Sequence, residues 1–322
     1  MRNHFRVPAI DAGPWSLAVT GLVERRLMLS LTDLDRLPSE TRVVTLECAG
    51  NGRRFLTPAV DGEPWGLGAV STAEWTGVPL AVVLDRAGVL HTATDVVFRG
   101  ADHGSVPGPA GEIFFERGLS LPAARDGDVL LAYAMNGEAL SFQHGFPVRV
   151  IVPGWYGVAS VKWLSAIELT DHPFAGYFQT TKYRYEVEGT AEPVTLQRVK
   201  ALITEPTEGA DLPPGETVIR GVAWSGAAAI ANVQVSIDGD YWQDARLLGE
   251  RRRHSWRRWE VLADLDRPGE HKIRARATDL AGNTQPESPI WNRYGYGNNA
   301  VQTLSVRVAP RADRSRTDTS PR

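Results

Sequence analysis

The chain contains many short apolar runs but no long amphipathic helix, and this pattern limits its fold more than any other feature. Val129 to Met135 and Pro147 to Val152 are apolar runs bounded by glycine, aspartate or proline, which predicts buried strands. Val158 to Leu169 is a further strand candidate. No GxGxxG motif follows a predicted strand, so the sequence argues against a nucleotide-binding doubly wound fold.

Two short helices are predicted from the residues at their ends. The first covers 30–37, where Ser30 can cap the amino end and Pro38 stops the helix. The second runs from Leu80 to Ala87, follows a proline and is stopped by Gly88. Together with the strands, these helices indicate that the first two-thirds of the chain mixes short strands, short helices and long loops.

After about Leu196 the sequence changes to short strands separated by turn signals. Val233, Val235 and Ile237 alternate with polar residues and lead into Asp238-Gly239, a strong hairpin signal. Further strand-like segments cover 218–224, 256–265, 271–278 and 301–308. This pattern is typical of a β-sandwich of about 100 residues. The last residues are polar and lack a core face, which predicts a disordered tail.

Composition and charge argue against several classes of protein. A formal net charge of −3 provides no overall basic field for binding nucleic acid. No apolar stretch is long enough to span a membrane. The amino terminus has no apolar signal core, so we expect a cytoplasmic protein, or a periplasmic one if a leader is missing. The basic run 251–258 is balanced by nearby glutamates and is interpreted as a solvated hairpin end.

Cys48 is the only cysteine in the chain, so neither an internal disulfide nor a zinc site built from several cysteines can form. It follows the strand-like run 42–47 and precedes a glycine-rich turn and Arg53-Arg54. Cationic neighbours and converging backbone N–H groups favour a thiolate. A buried small hydrophobe and a nucleophile partnered by His144 are the alternatives, and the residues alone leave all three open.

Other segments could also carry chemistry. His144 to Arg149 and Gly157 to Trp163 offer a histidine, an arginine, a lysine and flexible backbone, a set that suits phosphate or another multiply charged anion. A strand pair with solvent-facing charges is the alternative. Arg2 to His4, Gly176 to Tyr185 and Trp291 to Gly297 are polar or aromatic clusters that equally fit a terminus, a packed loop and a stiff connection.

Taken in order along the chain, these segments resemble the motifs of the sulfite oxidase family of molybdenum enzymes. The resemblance covers about residues 2 to 308. It lies in the cysteine loop Thr45 to Arg53 and in the segments Arg2 to His4, Trp65 to Trp75, Leu131 to Gly137, His144 to Arg149, Ser160 to Leu164 and Trp291 to Arg293. Ala159 stands where many members carry an arginine, and the chain begins inside the first motif.

The resemblance implies an α+β fold with a molybdopterin-binding catalytic domain over 1–195. It also implies an immunoglobulin-like β-sandwich over 196–310 that forms a homodimer, and leaves 311–322 as a disordered tail. One molybdenum ion per chain would be held by a pterin dithiolene and by the sulfur of Cys48. A soft thiolate suits a soft, redox-active metal.

The resemblance also assigns site residues. The positions that hold the pterin and its phosphate are Asn3, His4, Cys48, Asp102, His144, Arg149, Ser160 and Lys162. The positions of the anion pocket are Arg2, Arg53 and Arg293, with Trp65 and Tyr183 beside the metal. Three guanidinium groups would bind a small oxyanion. The tyrosine loop carries one extra residue relative to the family pattern, so Tyr185 competes with Tyr183 for the role.

The activity implied by the resemblance is oxidation of sulfite to sulfate. The chain has no CxxCH motif and no haem domain before the molybdenum domain, so electrons would pass singly to an external acceptor such as a cytochrome c. The same cofactor acting on nitrate, a sulfoxide or a sulfane is the alternative. A dimeric binding module with a vestigial site is a third hypothesis, which the filled charged positions disfavour.

Overall fold

The computed structural model of the protein describes residues 3–108, 111–187 and 189–311. The chain divides into two compact units, one formed by Met1–Gln197 and Ile290–Asn298 and the other by Arg198–Pro289 and Asn299–Arg322. The sequence assigned all of 196–310 to one domain, whereas Ile290–Asn298 groups with the first unit. The side chains of Ile290–Asn298 pack beside the Cys48 loop, which explains why this segment groups with the first unit.

The first unit is built from strands with short helices between them. Its strands are β1 (Leu17–Gly21), β2 (Leu27–Leu29), β3 (Glu40–Glu47), β4 (Val70–Pro79), β5 (Asp95–Ser105), β6 (Glu112–Ser120), β7 (Leu130–Met135), β8 (Glu138–Ala139), β9 (Arg149–Ile151), β10 (Leu164–Thr170), β11 (Arg184–Val187) and β12 (Thr190–Pro193). Its helices are α1 (Leu31–Asp35), α2 (Leu80–Ala87), α3 (Leu121–Ala124) and α4 (Tyr177–Thr180).

These strands form two larger sheets and a hairpin. One sheet has the order β2-β1-β10-β5-β6, with β1 and β10 parallel, and the other has the order β3-β4-β7-β8 with β9 paired to β7. Strands β11 and β12 form a separate antiparallel pair. The main core of the unit contains fully buried side chains from both sheets and from α2, including Leu17, Val78, Leu84 and Leu131. Because β3 ends at Glu47, the second sheet places Cys48 at a strand end.

The two predicted helices are present. Ser30 caps α1 through a reciprocal capping box with Asp33. Helix α2 has the predicted bounds, and Gly88 ends it in a left-handed conformation at φ 70°. The predicted strands at 129–135 and 147–152 are confirmed as β7 and β9.

The strand predicted over Val158 to Leu169 is only partly correct. Residues Gly157–Ala159 form a 3-10 turn, and strand β10 begins at Leu164. Trp163 has a positive φ of 51°, and its indole nitrogen donates to the Phe142 carbonyl oxygen at 2.7 Å. The chain therefore bends where a continuous apolar run suggested an extended strand, because a tertiary contact outweighs local strand propensity.

The second unit contains two sheets that share one core. Its strands are β13 (Lys200–Glu205), β14 (Ala210–Leu212), β15 (Gly215–Trp224), β16 (Ile230–Ile237), β17 (Gln243–Asp244), β18 (Arg246–Leu248), β19 (Arg257–Leu265), β20 (Gly269–Asp279) and β21 (Gln302–Val308). The sheet orders are β13-β15-β19-β18 and β14-β21-β20-β16-β17. Ile219 and Trp259 from the first sheet are fully buried in the same cluster as Val233 and Ile273 from the second.

Several features of this unit agree with the predictions made from the sequence. The predicted hairpin after β16 turns at Asp238-Gly239, where both residues have positive φ, and leads into β17. Arg251, Arg252 and Arg253 of the basic run are exposed and lie between the paired strands β18 and β19, as a hairpin end. Among the described residues, no helix has the length and apolar character needed to cross a membrane. The predicted tail from 312 onward lies outside the described residues.

Candidate active site

One cavity in the first unit brings together most of the residues that the family motifs selected. Its volume is ≈ 410 Å³. The selected residues that line it are Asn3, His4, Cys48, Trp65, Asp102, His144, Arg149, Ser160, Lys162 and Tyr183. They come from widely separated parts of the chain, so the fold assembles a single site from motifs that are distant in sequence.

The loop that carries Cys48 is fixed to the start of β4. The Cys48 amide donates to the Ala69 carbonyl oxygen at 2.9 Å, and the Asn51 amide donates to the Cys48 carbonyl oxygen at 2.9 Å. The buried Asn51 side chain accepts from the Ala69 amide at 3.0 Å and donates to Glu47 at 2.9 Å. Because the backbone on both sides of Cys48 is hydrogen-bonded, the half-buried thiol is held on the cavity wall.

A basic group forms another part of the wall. Arg149 is buried, and its two terminal nitrogens donate to the carbonyl oxygens of His144 at 2.9 Å and Ser160 at 3.1 Å. Its guanidinium carbon lies 4.9 Å from the centroid of the Trp75 ring. Lys162 Nζ donates to the Gln143 carbonyl oxygen at 3.1 Å and to the Asn3 side chain. Backbone carbonyls thus orient two cations toward one region.

The electrostatics of this group favour an anion. Burial and the neighbouring Arg149 lower the pKa of Lys162 to about 7. Burial, then Arg149 and Lys162, also lower the pKa of His144. Like charges held together in a partly buried site disfavour one another, and a bound anion would offset that cost. A phosphate group is of the right charge and hydrogen-bonding type.

An acidic residue, Asp102, also lines the cavity. Asp102 is buried, and burial raises the pKa of its carboxyl to about 6. Its Oδ1 atom has no hydrogen-bond partner among the described residues, and neither do Nε1 of Trp65, Nε1 of Trp75 and Nε of Arg149. Buried polar atoms without partners are costly. Because all four belong to residues that line the cavity, a polar heterocycle with donors and acceptors would satisfy them.

Tyr183 faces the same cavity from a strained backbone position. Its φ is 54°, which is uncommon for a residue other than glycine. Its hydroxyl lies 2.6 Å from Nε2 of His4, and the His4 ring stacks on Phe115 with centroids 5.7 Å apart. Tyr185 is not among the residues that line the cavity. This placement favours Tyr183 over Tyr185 as the tyrosine of the site.

Two arginines of the expected anion pocket, Arg53 and Arg293, do not line this cavity. Arg53 is buried, and its Nε and Nη1 atoms donate to the carbonyl oxygens of Tyr294 at 3.0 Å and Glu63 at 2.8 Å. It borders a separate pocket rather than the Cys48 cavity. Arg293 is exposed and pairs with Glu186 at 3.4 Å. Arg2 lies outside the described residues, so convergence of three guanidinium groups stays a prediction.

Sequence reasoning missed several residues of the site. Trp75, Phe115, Met135 and Trp163 also line the cavity. Trp75, Met135 and Trp163 lie in segments used in the resemblance, but apolar and aromatic residues in a strand predict core packing equally well. Only the folded structure shows that these four residues line the cavity.

Comparison with known protein families identifies two domains. The model described as "Oxidoreductase molybdopterin binding domain" matches residues 4–178. The model described as "Mo-co oxidoreductase dimerisation domain" matches residues 193–309. The two matches follow one another along nearly the whole chain.

Individual proteins are also similar. The chain is 37% identical to mitochondrial sulfite oxidase of Rattus norvegicus over 96% of its own length and 60% of that protein. It is 35% identical to NADH nitrate reductase of Spinacia oleracea, with 96% of the chain and 37% of that protein covered. The chain therefore spans about 60% of the length of the rat protein.

A solved structure has the same fold. The crystal structure of the sulfane dehydrogenase SoxCD from Paracoccus pantotrophus matches with a TM-score of 0.83 and 31% sequence identity. The match covers 94% of this chain and 77% of that one. The arrangement of both units' strands is therefore one that a known structure shares.

Proposed function

The chain belongs to the sulfite oxidase family of molybdopterin-binding oxidoreductases, and on that premise we propose that it oxidises sulfite to sulfate with a molybdenum–molybdopterin cofactor. The observation that carries this proposal is the cavity that Cys48 shares with a buried basic group, with the Asp102 carboxyl, whose pKa burial raises to about 6, and with Tyr183. A soft sulfur ligand, an anion site and acid–base groups are the parts that such a reaction needs.

The residues of the cavity fit the cofactor in kind. Cys48 would supply a thiolate to the metal. His144, Arg149 and Lys162 would hold the phosphate, because they form the positive part of the wall. Asp102, which has an oxygen without a partner among the described residues, would accept from the pterin. Asn3, His4 and Ser160 are further polar residues of the lining that would contact the cofactor.

When bound, the cofactor supplies two-electron redox chemistry and oxygen-atom transfer. The reaction as a whole converts sulfite and water into sulfate, two protons and two electrons. The residues of the chain must therefore bind a dianion and remove protons. Following the family resemblance, Arg53, with Arg2 and Arg293, would bind the dianion, although Arg53 borders a pocket separate from the Cys48 cavity. Trp65, which lines that cavity, would exclude water from it.

Tyr183 and His4 provide a route for the protons. The Tyr183 hydroxyl can donate to a substrate oxygen and can exchange its proton with Nε2 of His4, which lies 2.6 Å away. This contact joins a residue assigned to the substrate with one assigned to the cofactor. Proton release and substrate turnover would then be linked through one hydrogen bond.

The proposal also includes an external electron acceptor and a homodimer. Electrons would leave singly to an external acceptor of the cytochrome c type, without a haem in this chain.

The second unit would adopt an immunoglobulin-like sandwich and pair two chains, since the family model that matches it describes a dimerisation domain. Light scattering on purified protein tests the dimer, and a monomer at micromolar concentration would contradict it.

A different sulfur substrate is the second candidate. The solved structure that matches with a TM-score of 0.83 is that of a sulfane dehydrogenase, and a nitrate reductase is among the relatives. The proposed arginine pocket favours a small dianion over a neutral sulfoxide or a monoanion such as nitrate. Sulfite therefore stays the first substrate to test.

Two measurements test the proposal. Protein expressed in a host that makes the cofactor should contain about one molybdenum per chain by elemental analysis, and protein with none would contradict the central claim. Steady-state assays with a one-electron dye should show turnover of sulfite with a kcat/KM above that of protein-bound sulfane, and reduced dye should not support nitrate reduction at a comparable rate. Faster turnover of either competitor would reassign the substrate.

A further inference from the structure

We propose that Tyr296 is a positioning residue that holds both Arg53 and Tyr183 in their working orientations. This inference rests on the proposed function, because Arg53 and Tyr183 are its substrate-binding and proton-transferring residues. Tyr296 is 3% exposed and lies in the segment Ile290–Asn298 that returns to the first unit. It does not line the cavity, so its effect on the reaction must pass through its neighbours.

The ring of Tyr296 supports Tyr183. The two rings stack with centroids 4.9 Å apart and planes 15° from parallel. Offset aromatic pairs of this kind are favourable beyond the area they bury. The stack restricts the rotation of the Tyr183 side chain, whose hydroxyl must meet His4 at 2.6 Å.

The hydroxyl of Tyr296 supports the backbone of Tyr183. Burial raises the pKa of the Tyr296 phenol to about 12, against the opposing effects of Arg53 and of a hydrogen bond from the Tyr183 backbone. The phenol therefore stays neutral. On the other side, the Val194 amide donates to the Tyr183 carbonyl oxygen at 2.8 Å. Tyr183 is thus held at φ 54° by hydrogen bonds to both of its peptide groups.

The same ring also supports Arg53. The guanidinium carbon of Arg53 lies 5.2 Å from the centroid of the Tyr296 ring, within range of a cation–π interaction. The neighbouring Tyr294 accepts from Arg53 Nε through its backbone carbonyl at 3.0 Å. The Tyr296 segment therefore fixes the guanidinium from two directions.

The backbone around Tyr296 is itself anchored. Its amide donates to Oδ1 of Asn292 at 3.0 Å, and Nδ2 of Asn292 donates to its carbonyl oxygen at 2.8 Å. The Gly297 amide donates to the carbonyl oxygen of Ala49 at 2.8 Å, beside Cys48. Because its backbone is anchored in this way, the Tyr296 side chain can fix the positions of Tyr183 and Arg53 instead of moving with them.

Two substitutions separate the ring from the hydroxyl. Tyr296→Phe keeps the stack and the cation–π contact but removes the hydrogen bond to Tyr183. We expect it to lower kcat on the order of tenfold, the effect of about one hydrogen bond, while KM for sulfite stays within about twofold. Tyr296→Leu removes the stack, the cation–π contact and the hydrogen bond, and we expect at least the same loss in kcat together with an increase in KM on the order of tenfold.

A matched control removes a hydroxyl elsewhere in the first unit. Tyr133 lies in β7 and packs partly against the main core. Tyr133→Phe should leave kcat and KM unchanged. A Tyr296→Phe variant that matches this control, or one that raises KM as much as Tyr296→Leu, would overturn the inference.

A binding measurement separates this inference from the proposed reaction. Sulfate is used as the probe of the anion pocket in full-length protein prepared without cofactor, by isothermal titration calorimetry. Tyr296→Phe should bind sulfate as the unmodified protein does, while Tyr296→Leu and Arg53→Gln should both bind it on the order of tenfold more weakly. This pattern would support the role of Tyr296 even if sulfite is not turned over. Equal sulfate affinity in all three variants overturns it.

Discussion

Gly50 and Arg53 occupy adjacent space so tightly that a Cβ atom on Gly50 would lie 2.5 Å from Nη2 of Arg53. Gly62 and Gly295 make similar approaches, at 3.0 Å to Nη1 and 2.8 Å to Cγ of the same side chain. Gly62 and Gly295 also have positive φ angles of 117° and 62°. The guanidinium is therefore enclosed by backbone, and its orientation depends on residues that contribute no side chain.

Gly50→Ala should displace Arg53, because the added methyl group cannot fit beside the guanidinium. We expect a loss of about 1–3 kcal/mol in the free energy of unfolding, typical of overpacking, together with a raised KM for sulfite. Denaturant unfolding and steady-state kinetics measure the two effects. Gly127→Ala is the control, since nothing lies within 4 Å of a Cβ atom at that position. An unchanged KM in Gly50→Ala would mean that the orientation of Arg53 is not critical.

Arg53→Gln should weaken sulfite binding far more than it affects metal content. The change removes the charge but keeps a polar side chain that can still donate to the carbonyl oxygen of Tyr294 or Glu63, so the Cys48 cavity should remain intact. Loss of a charged hydrogen-bonding partner costs about 1.5–3 kcal/mol, which corresponds to an increase in KM of roughly tenfold to a hundredfold. Elemental analysis beside kinetics checks this, and equal losses of molybdenum and affinity would make Arg53 structural.

Cys48→Ser should abolish turnover while the protein stays folded. Serine retains the backbone hydrogen bonds to Ala69 and Asn51 but offers a hard oxygen in place of a soft thiolate. The free energy of unfolding of cofactor-free protein should change by less than about 1 kcal/mol. A variant with full activity would refute the assignment of Cys48 as the metal ligand.

Lys162 should make the stability of the cofactor-free protein depend on pH. Burial and Arg149 lower its pKa in the folded state to about 7, below the value of about 10.5 expected when unfolded. Between these values the unfolded chain binds more protons, so Lys162 favours folding more strongly as the pH rises from about 7 toward 10. The penalty for burying the charge is fully present below about pH 7.

Lys162→Met removes this dependence. Urea denaturation of both proteins at several pH values from 6 to 9 should show the native protein gaining stability relative to the variant as the pH rises. Lys272→Met, which replaces an exposed lysine, should run parallel to the native protein over this range. Parallel curves for Lys162→Met as well would show that the Lys162 ammonium is not destabilised in the cofactor-free site.

Local features of the fold were accessible from the sequence. The caps of α1 and α2 and the turn at Asp238-Gly239 depend on residues close together in the chain, so their physical cause is visible in the order of amino acids. The bend at Trp163 was not accessible, because it depends on a contact with Phe142 twenty-one positions away. Tertiary contacts of this kind override the local pattern.

The residues of the site also fall into those that sequence motifs identify and those that only tertiary contacts reveal. Family motifs selected ten residues of the Cys48 cavity, since their chemistry is distinctive in type and order. Tyr296 lacks such a signal: it lies in an aromatic segment that equally fits a stiff strand connection. Its relationship to Tyr183 joins residues 113 positions apart, counting from 183 to 296, and becomes evident only from the stacked rings.

The return of Ile290–Asn298 to the first unit has a consequence for biosynthesis. A ribosome that has translated the first 197 residues has made Cys48, Tyr183 and every other residue that lines the cavity, but not the aromatic segment that steadies them. The catalytic centre is therefore completed only after most of the polypeptide has emerged. Cofactor insertion into a stalled or truncated chain would meet a cavity whose Tyr183 is still without the support of Tyr296.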